Sequence, residues 1–196
     1  MKLSATLLLV VSVAATALAV FTHISEIPTS CVASKVVQTR NFTTTTGEVI
    51  RIDTKTCSGG TGADSGHSKR QTINACVAET INFSCVAGAG AGPVAGDCDN
   101  LNTGIIEAFE AAGDPTLFTV NPQTVQTFTL GTCQFAWINE NTAAILEFCF
   151  SEITAVMGPQ LINGCIVPGD TAGVARPSGT GIPATTLDWV FEVLHS

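Results

Sequence analysis

The stretch DCDNLNTGIIEAF occupies residues 97–109, FTVNPQTVQTFTLGTCQFAWIN residues 118–139, and FCFSEITAVMGPQLINGC residues 148–165. Taken together from Asp97 to Cys165, these pieces decide the fold, because each carries its own periodicity. In the first, Cys98, Leu101, Ile105, Phe109 and Ala112 recur at spacings of three and four, which puts them on one face of a helix from about Cys98 to Ala112. Asp97 is a suitable N-cap for that helix, and Gly113-Asp114-Pro115 stops it. In the second piece a short strand, Thr116 to Val120, precedes a strand from Thr124 to Leu130 with Phe128 and Leu130 on one face and Thr127 and Thr129 on the other. Gly131 turns the chain into Cys133 to Ile138, where Cys133, Phe135 and Trp137 share a face. The third piece reads as the end of a strand from Ala143 to Cys149. A helix from about Glu152 to Asn163 follows, its apolar stripe made of Ile153, Val156, Met157 and Leu161. Pro159 predicts a kink or an early stop there.

Around this block the chain is less patterned. Val20 to Cys57 is polar and Thr-rich, with one strand expected at Glu48 to Thr54. Ser58 to Gln71 is a Gly/Ser-rich linker, Gly88 to Pro93 reads as a pliable surface loop, and Ile166 to Pro183 as a Gly/Pro-rich loop. Thr186 to His195 alternates again, with Leu187, Trp189, Phe191 and Val193 on one face. Helices flanking hairpin-connected strands predict an α+β fold: a small disulfide-stapled sandwich with a mainly antiparallel sheet and two helices.

The ends bound where the chain works. Met1 to Ala19 has the form of a secretory signal peptide: Lys2, the apolar run Leu7 to Val13, and the small-residue site Ala17-Leu18-Ala19. No later apolar run is long enough for a transmembrane segment. Residues 20–70 then form an N-terminal segment or propeptide, and residues 71–196 a cysteine-rich domain. The boundary is the dibasic pair Lys69-Arg70 at the end of the linker, an exposed place for a processing protease to cut. The expected location is secreted and extracellular.

Eight cysteines lie beyond the cleavage site: Cys31, Cys57, Cys76, Cys85, Cys98, Cys133, Cys149 and Cys165. An even count in an exported chain implies four disulfides, two of the cysteines falling before Arg70 and six after it. No CxxC spacing occurs and no histidine accompanies a cysteine pair, which argues against zinc. The spacing leaves the connectivity open. Asn41-Phe42-Thr43 and Asn82-Phe83-Ser84 are N-glycosylation acceptor patterns.

From Gln71 onward twelve acidic residues face the single Arg176, whereas Val20 to Arg70 holds six basic residues against four acidic ones. So acidic a body is repelled by nucleic-acid phosphate and by anionic lipid, so neither is an expected partner. Catalytic signatures are missing as well. After Arg70 the only histidine is His195, next to the terminus, and no HExxH, GxSxG or P-loop pattern occurs. Glu107 and Glu110 read as solvated charges on the wet face of the first helix, and Asp97, Asp99 and Asn100 as capping residues rather than calcium ligands. Trp137 reads as core, in register with a bridging cysteine, rather than as a sugar platform. No enzyme, cofactor or metal is expected.

The run Pro93-Val94-Ala95-Gly96-Asp97-Cys98-Asp99-Asn100-Leu101, then Phe118-Thr119-Val120, Gly131-Thr132-Cys133 and a helix running to Gly164-Cys165, resembles the fungal necrosis-inducing factor family. These are homologues of a secreted extracellular effector of plant-pathogenic fungi, and some are compared with killer toxins. The likeness covers about Cys76 to Cys165 and rests on cysteine placement and a small-residue loop before Asp-Cys. The extra cysteines and the long loop after Cys165 depart from that pattern. The resemblance implies a small, disulfide-bonded, monomeric effector-like or toxin-like protein that binds an extracellular target, protein or glycan. It supplies no catalytic residues. The rival expectation is a wall- or glycan-associated binding module.

Overall fold

The computed structural model describes residues 22–24, 31, 33–57, 71–76, 81–88, 90–111, 113, 117–177 and 188–196. Eight strands form one sheet: β1 (Thr22–Ile24), β2 (Ala33–Thr43), β3 (Val49–Cys57), β5 (Ile81–Val86), β7 (Thr124–Leu130), β8 (Cys133–Asn139), β10 (Ala172–Pro177) and β11 (Trp189–His195). Their order is β1-β5-β10-β11-β8-β7-β3-β2, and every pairing is antiparallel except β1 with β5. A smaller sheet places β9 (Ile145–Cys149) between β4 (Thr72–Asn74) and β6 (Leu117–Val120). Helix α1 spans Ala95–Ala111. A second helical rod, α2, runs unbroken from Phe150 to Ile166 through an α-turn, a π-helical turn at Ile153–Met157, an α-turn at Gly158–Leu161 and a second π-helical turn at Ile162–Ile166. The fold is α+β with disulfide staples, as expected.

The large sheet has two faces, and the alternation of its strands sorts residues between them. The inner face meets α1, α2 and the small sheet. Phe128, Phe135, Trp137, Phe191 and Val193 project from it and are 3% exposed or less. Phe118 and Phe148 arrive from the small sheet and pack edge-on against Trp137 at ring-centroid distances of 5.5 and 4.4 Å. Trp189 stacks on Trp137 at 5.4 Å. The outer face carries a second cluster, with Val125, Ala136, Ile138, Val174 and Val190 beside Cys31 and Cys57.

Four disulfides join Cys31–Cys57, Cys76–Cys149, Cys85–Cys165 and Cys98–Cys133, and no cysteine is free. The closed loops span 26, 73, 80 and 35 residues. Loop-closure entropy then assigns each bridge roughly 3.5–4.5 kcal/mol of denatured-state restriction, largest for Cys85–Cys165. Cys98–Cys133 ties α1 to β8, Cys85–Cys165 ties β5 to α2, and Cys76–Cys149 joins the end of β4 to β9 within the small sheet. The fourth closes the β2–β3 hairpin on itself, so no bridge crosses from residues before Arg70 to residues after it.

Several expectations are corrected. The stretch before the linker forms an eleven-residue strand in addition to the one expected, and β3 pairs with β7 from Arg51↔Thr129 to Thr56↔Thr124. Periodicity missed β2 because on an edge strand both faces are wet and its residues need not alternate. Residues 71–87, to which the sequence pattern assigns no strand, contain β4 and β5. The loop expected from Ile166 to Pro183 contains β10, an interior strand whose AGVARP looks weak but whose Val174 and Ala175 are 2% and 0% exposed. Tertiary pairing on both edges overrides low strand propensity there. Pro159 does not stop α2, which continues to Ile166. The π-helical turn before it bonds Gly158 N–H to the Ile153 carbonyl, widening the backbone where the proline ring would otherwise meet the preceding turn. Helix α1 begins two residues before Asp97.

Candidate functional site

On the inner face the three strands nearest one edge turn from apolar to polar, β2 at Arg40 and β3 and β7 one row later. Along β2 the inward residues run Phe42, Arg40, Gln38; along β3 they run Ile50, Ile52, Thr54; along β7 they run Leu130, Phe128, Gln126. The row Gln38–Thr54–Gln126 is therefore polar across three adjacent strands, with Gln38 opposite Thr54 and Thr54 opposite Gln126. Helix α1 covers the apolar rows and ends at Ala111, short of the polar one. The result is an open cleft of about 390 Å³ between the large sheet and the small one. Its floor is Gln38, Arg40, Thr54 and Gln126. Its walls are Phe109 from α1 and β6 with Phe118 and Thr119, and Asn121 and Thr124 close one end.

The walls are rigid. Phe118 stacks on Phe150 at 4.6 Å and abuts Trp137, so its ring is held by the aromatic core behind it. The floor is partly preset, since Arg40 donates from Nη2 to Gln38 Oε1 at 3.2 Å. The amide of Gln126 and the hydroxyl of Thr54 have no protein hydrogen-bond partner among the described residues, which leaves both open to solvent or ligand. Arg40 is the sole charged side chain of the lining, and no carboxylate, histidine or cysteine joins it. The lining thus offers amides, hydroxyls, an aromatic ring and one guanidinium.

The cleft joins parts on both sides of the linker, since Gln38, Arg40 and Thr54 precede it and the rest follow it. Docking of the β2–β3 hairpin on the body is what builds the floor. Ile50, 1% exposed, lies against α1 at Gly104, where a Cβ would stand 2.5 Å from Ile50 Cδ1 and 2.9 Å from Thr44 Cγ2. Glu107 of α1 accepts hydrogen bonds from the Thr45 backbone N–H (2.7 Å) and hydroxyl (2.9 Å). Glu107 is thus a clamp on the hairpin turn instead of the solvated charge expected, while Glu110 is exposed.

The remaining sequence candidates lie elsewhere. Asp97 caps no helix. Its carboxylate accepts from the Thr132 N–H and hydroxyl, both at 2.7 Å, and those bonds, backbone first, hold its carboxyl below the usual range. Gly131 makes the approach possible: its φ is +56°, and a Cβ would sit 2.4 Å from Asp97 Oδ2. With the Cys98–Cys133 bridge next door, the Asp97-Cys98 and Gly131-Thr132-Cys133 motifs are locked together. Asp99 is exposed and Asn100 donates to Glu48 at 3.4 Å; no group of three or more metal-type side chains occurs among the described residues. Trp137 and Trp189 are 1% and 3% exposed, so neither offers a face to a sugar. Asn41 on β2 and Asn82 on β5 are both exposed. Lys69 and Arg70 lie outside the described residues.

A second polar group missed in the sequence centres on Glu192, on the outer face of the large sheet beside Ala136 and Val174. Glu192 of β11 is 7% exposed, its Oε1 has no partner, and burial pushes its carboxyl up to about 7; nearby Arg176 opposes that shift and Glu140 adds to it. Arg176 Nη1 donates to Glu140 Oε2 at 3.4 Å. Burial also raises the carboxyl of Asp188, whose backbone carbonyl accepts from Glu140 N–H. A strand reading that alternates Trp189, Phe191 and Val193 inward assigns Glu192 to water, and only the tertiary structure buries it. No family model, curated protein or solved structure matches this chain.

Proposed function

We propose that this is an exported binding protein of the effector or toxin type, which engages an extracellular target through the cleft between its two sheets. The observation that carries the reading is the polar row Gln38–Thr54–Gln126, which crosses three adjacent strands on one face beside Arg40, where a plain core would continue apolar. A leftover surface groove has no reason to keep that register across a linker. Four disulfides suit an oxidising compartment, and none of the described helices is long and apolar enough to cross a membrane. The lining binds without turning over, so activity is occupancy of a target rather than a reaction.

The test applies purified oxidised protein to plant tissue and to competing fungi, scoring cell death and growth arrest, alongside an Arg40→Ala/Gln126→Ala variant of matched stability. A response to the native protein that the variant fails to give is the expected result. An equal response from both removes the cleft from the activity, and no response from either at micromolar dose removes the effector reading.

A further inference from the structure

The chemistry of the lining narrows what the cleft accepts. The main-chain groups of β3 and β7 are consumed in their ladders on both sides, while β2 and β6, which border the cleft, are edge strands of their sheets. The chemical selectivity of the cleft comes from its side chains. Those available are primary amides (Gln38, Gln126), a hydroxyl (Thr54), the half-buried ring of Phe109, and one guanidinium. An amide presents a donor and an acceptor side by side, which matches the adjacent hydroxyls of a sugar ring, and an aromatic face packs against the ring's C–H side. The lone cation adds a further requirement. Arg40 stands at the solvent edge of the floor, already oriented by Gln38, with no carboxylate in the cleft to neutralise it. On a chain of formal net charge −8 an uncompensated guanidinium inside a concave site selects a ligand anion of matching planar shape.

We infer that the cleft between β2–β3–β7 and β6 is a subsite for an oligosaccharide bearing carboxylate groups, with Gln38, Thr54 and Gln126 on its hydroxyls, Phe109 against a ring face, and Arg40 on the carboxylate. This rests on the cleft being the binding site and adds the class of ligand. Carboxylated chains of this kind occur free as fragments and immobilised in walls; the binding chemistry is the same for both.

The experiment titrates the full oxidised chain with a galacturonic-acid hexamer and, in parallel, with neutral hexamers of β-1,4-glucose, β-1,3-glucose and N-acetylglucosamine, read by calorimetry and by amide chemical-shift changes. The acidic hexamer is expected to bind with shifts confined to β2, β3, β6 and β7. Arg40→Gln should weaken it about tenfold, as should 0.5 M salt, and Gln126→Ala should weaken it several-fold. Retention on insoluble pectic material should follow the same order, which joins the free and wall-bound sources. Equal affinity for acidic and neutral hexamers overturns the role given to Arg40. Absence of binding to any hexamer overturns the ligand class. In that case, loss of biological response in the Arg40→Ala/Gln126→Ala variant still leaves the cleft as the binding site, so the two ideas fail separately.

Discussion

Strands β2, β3 and β7 carry two different surfaces on one face. At one end Ile50, Phe128 and Leu130 are buried in the core with Leu101 and Ile105 of α1; at the other, two residues from Ile52 along β3 and from Phe128 along β7, Thr54 and Gln126 lie beside Gln38 in an open cleft. The backbone pairing is continuous through both. What changes is the cover, because α1 ends where the polar row begins. The contrast shows that hydrogen-bonded sheet alone does not define a core: the same three strands are interior or binding surface according to what is packed on them. It also shows how the two ends tolerate change. A core residue answers to its neighbours through lost contacts, and a cleft residue to its ligand.

The sharpest way to break this contrast is at the aromatic centre. Trp137→Ala should destabilise the protein by about 3–5 kcal/mol in denaturant unfolding, because it empties the space shared with Phe118, Phe148, Trp189 and Phe191. A small loss there would mean the inner face is loosely packed and the contrast with the cleft is one of degree.

A polar residue that is buried should behave unlike the wet polar row, and Glu192 provides the case. Its folded-state carboxyl, at about 7, lies above its ordinary value of 4.5, so the native state binds the proton more tightly than the unfolded chain. The stability this contributes is fully present below about pH 4.5 and is lost as pH rises through 7, by up to about 3 kcal/mol. Glu192→Gln should flatten that slope in unfolding curves taken from pH 4 to 8 and make the protein more stable than the native form at pH 8. An unchanged slope would show that another group causes it. Asp97, held low, contributes the opposite trend, losing stability below the ordinary carboxylate range.

The seam between hairpin and helix gives a smaller effect. Gly104→Val should cost about 2 kcal/mol by crowding Ile50 and Thr44, whereas Gly104→Ala should be near neutral, its crowding offset by better helix propensity. Ile50→Val removes the Cδ1 that a new Cβ would meet, so the Gly104→Ala/Ile50→Val pair should be less destabilised than the sum of the singles. Additive single effects would place the hairpin farther from α1. The smallest expected change is Gln126→Ala, within about 0.5 kcal/mol of native stability, since its amide holds no protein partner. A loss above 1 kcal/mol would make it a structural residue and empty the binding proposal of one of its anchors.

Much of this was legible in the chain. Period-four recurrence through Cys98, Leu101 and Ile105 marked α1, and period-two alternation through Phe128, Phe135 and Phe191 marked three strands, because a residue's face on a regular element follows from its number. Gln38 and Thr54 were not legible as a site. Nothing in TRNFT or RIDTK distinguishes an inward threonine over a cleft from an outward one in water, and β10 looks like a loop until both its edges are paired. What the sequence alone determined is the α+β class, the even set of cysteines and the acidic body, all properties of local pattern and composition. The bridge partners, the edge hairpin, the buried Glu192 and the cleft were decided only when distant segments packed, since burial and pairing belong to contacts between residues far apart in the chain and leave no period along it.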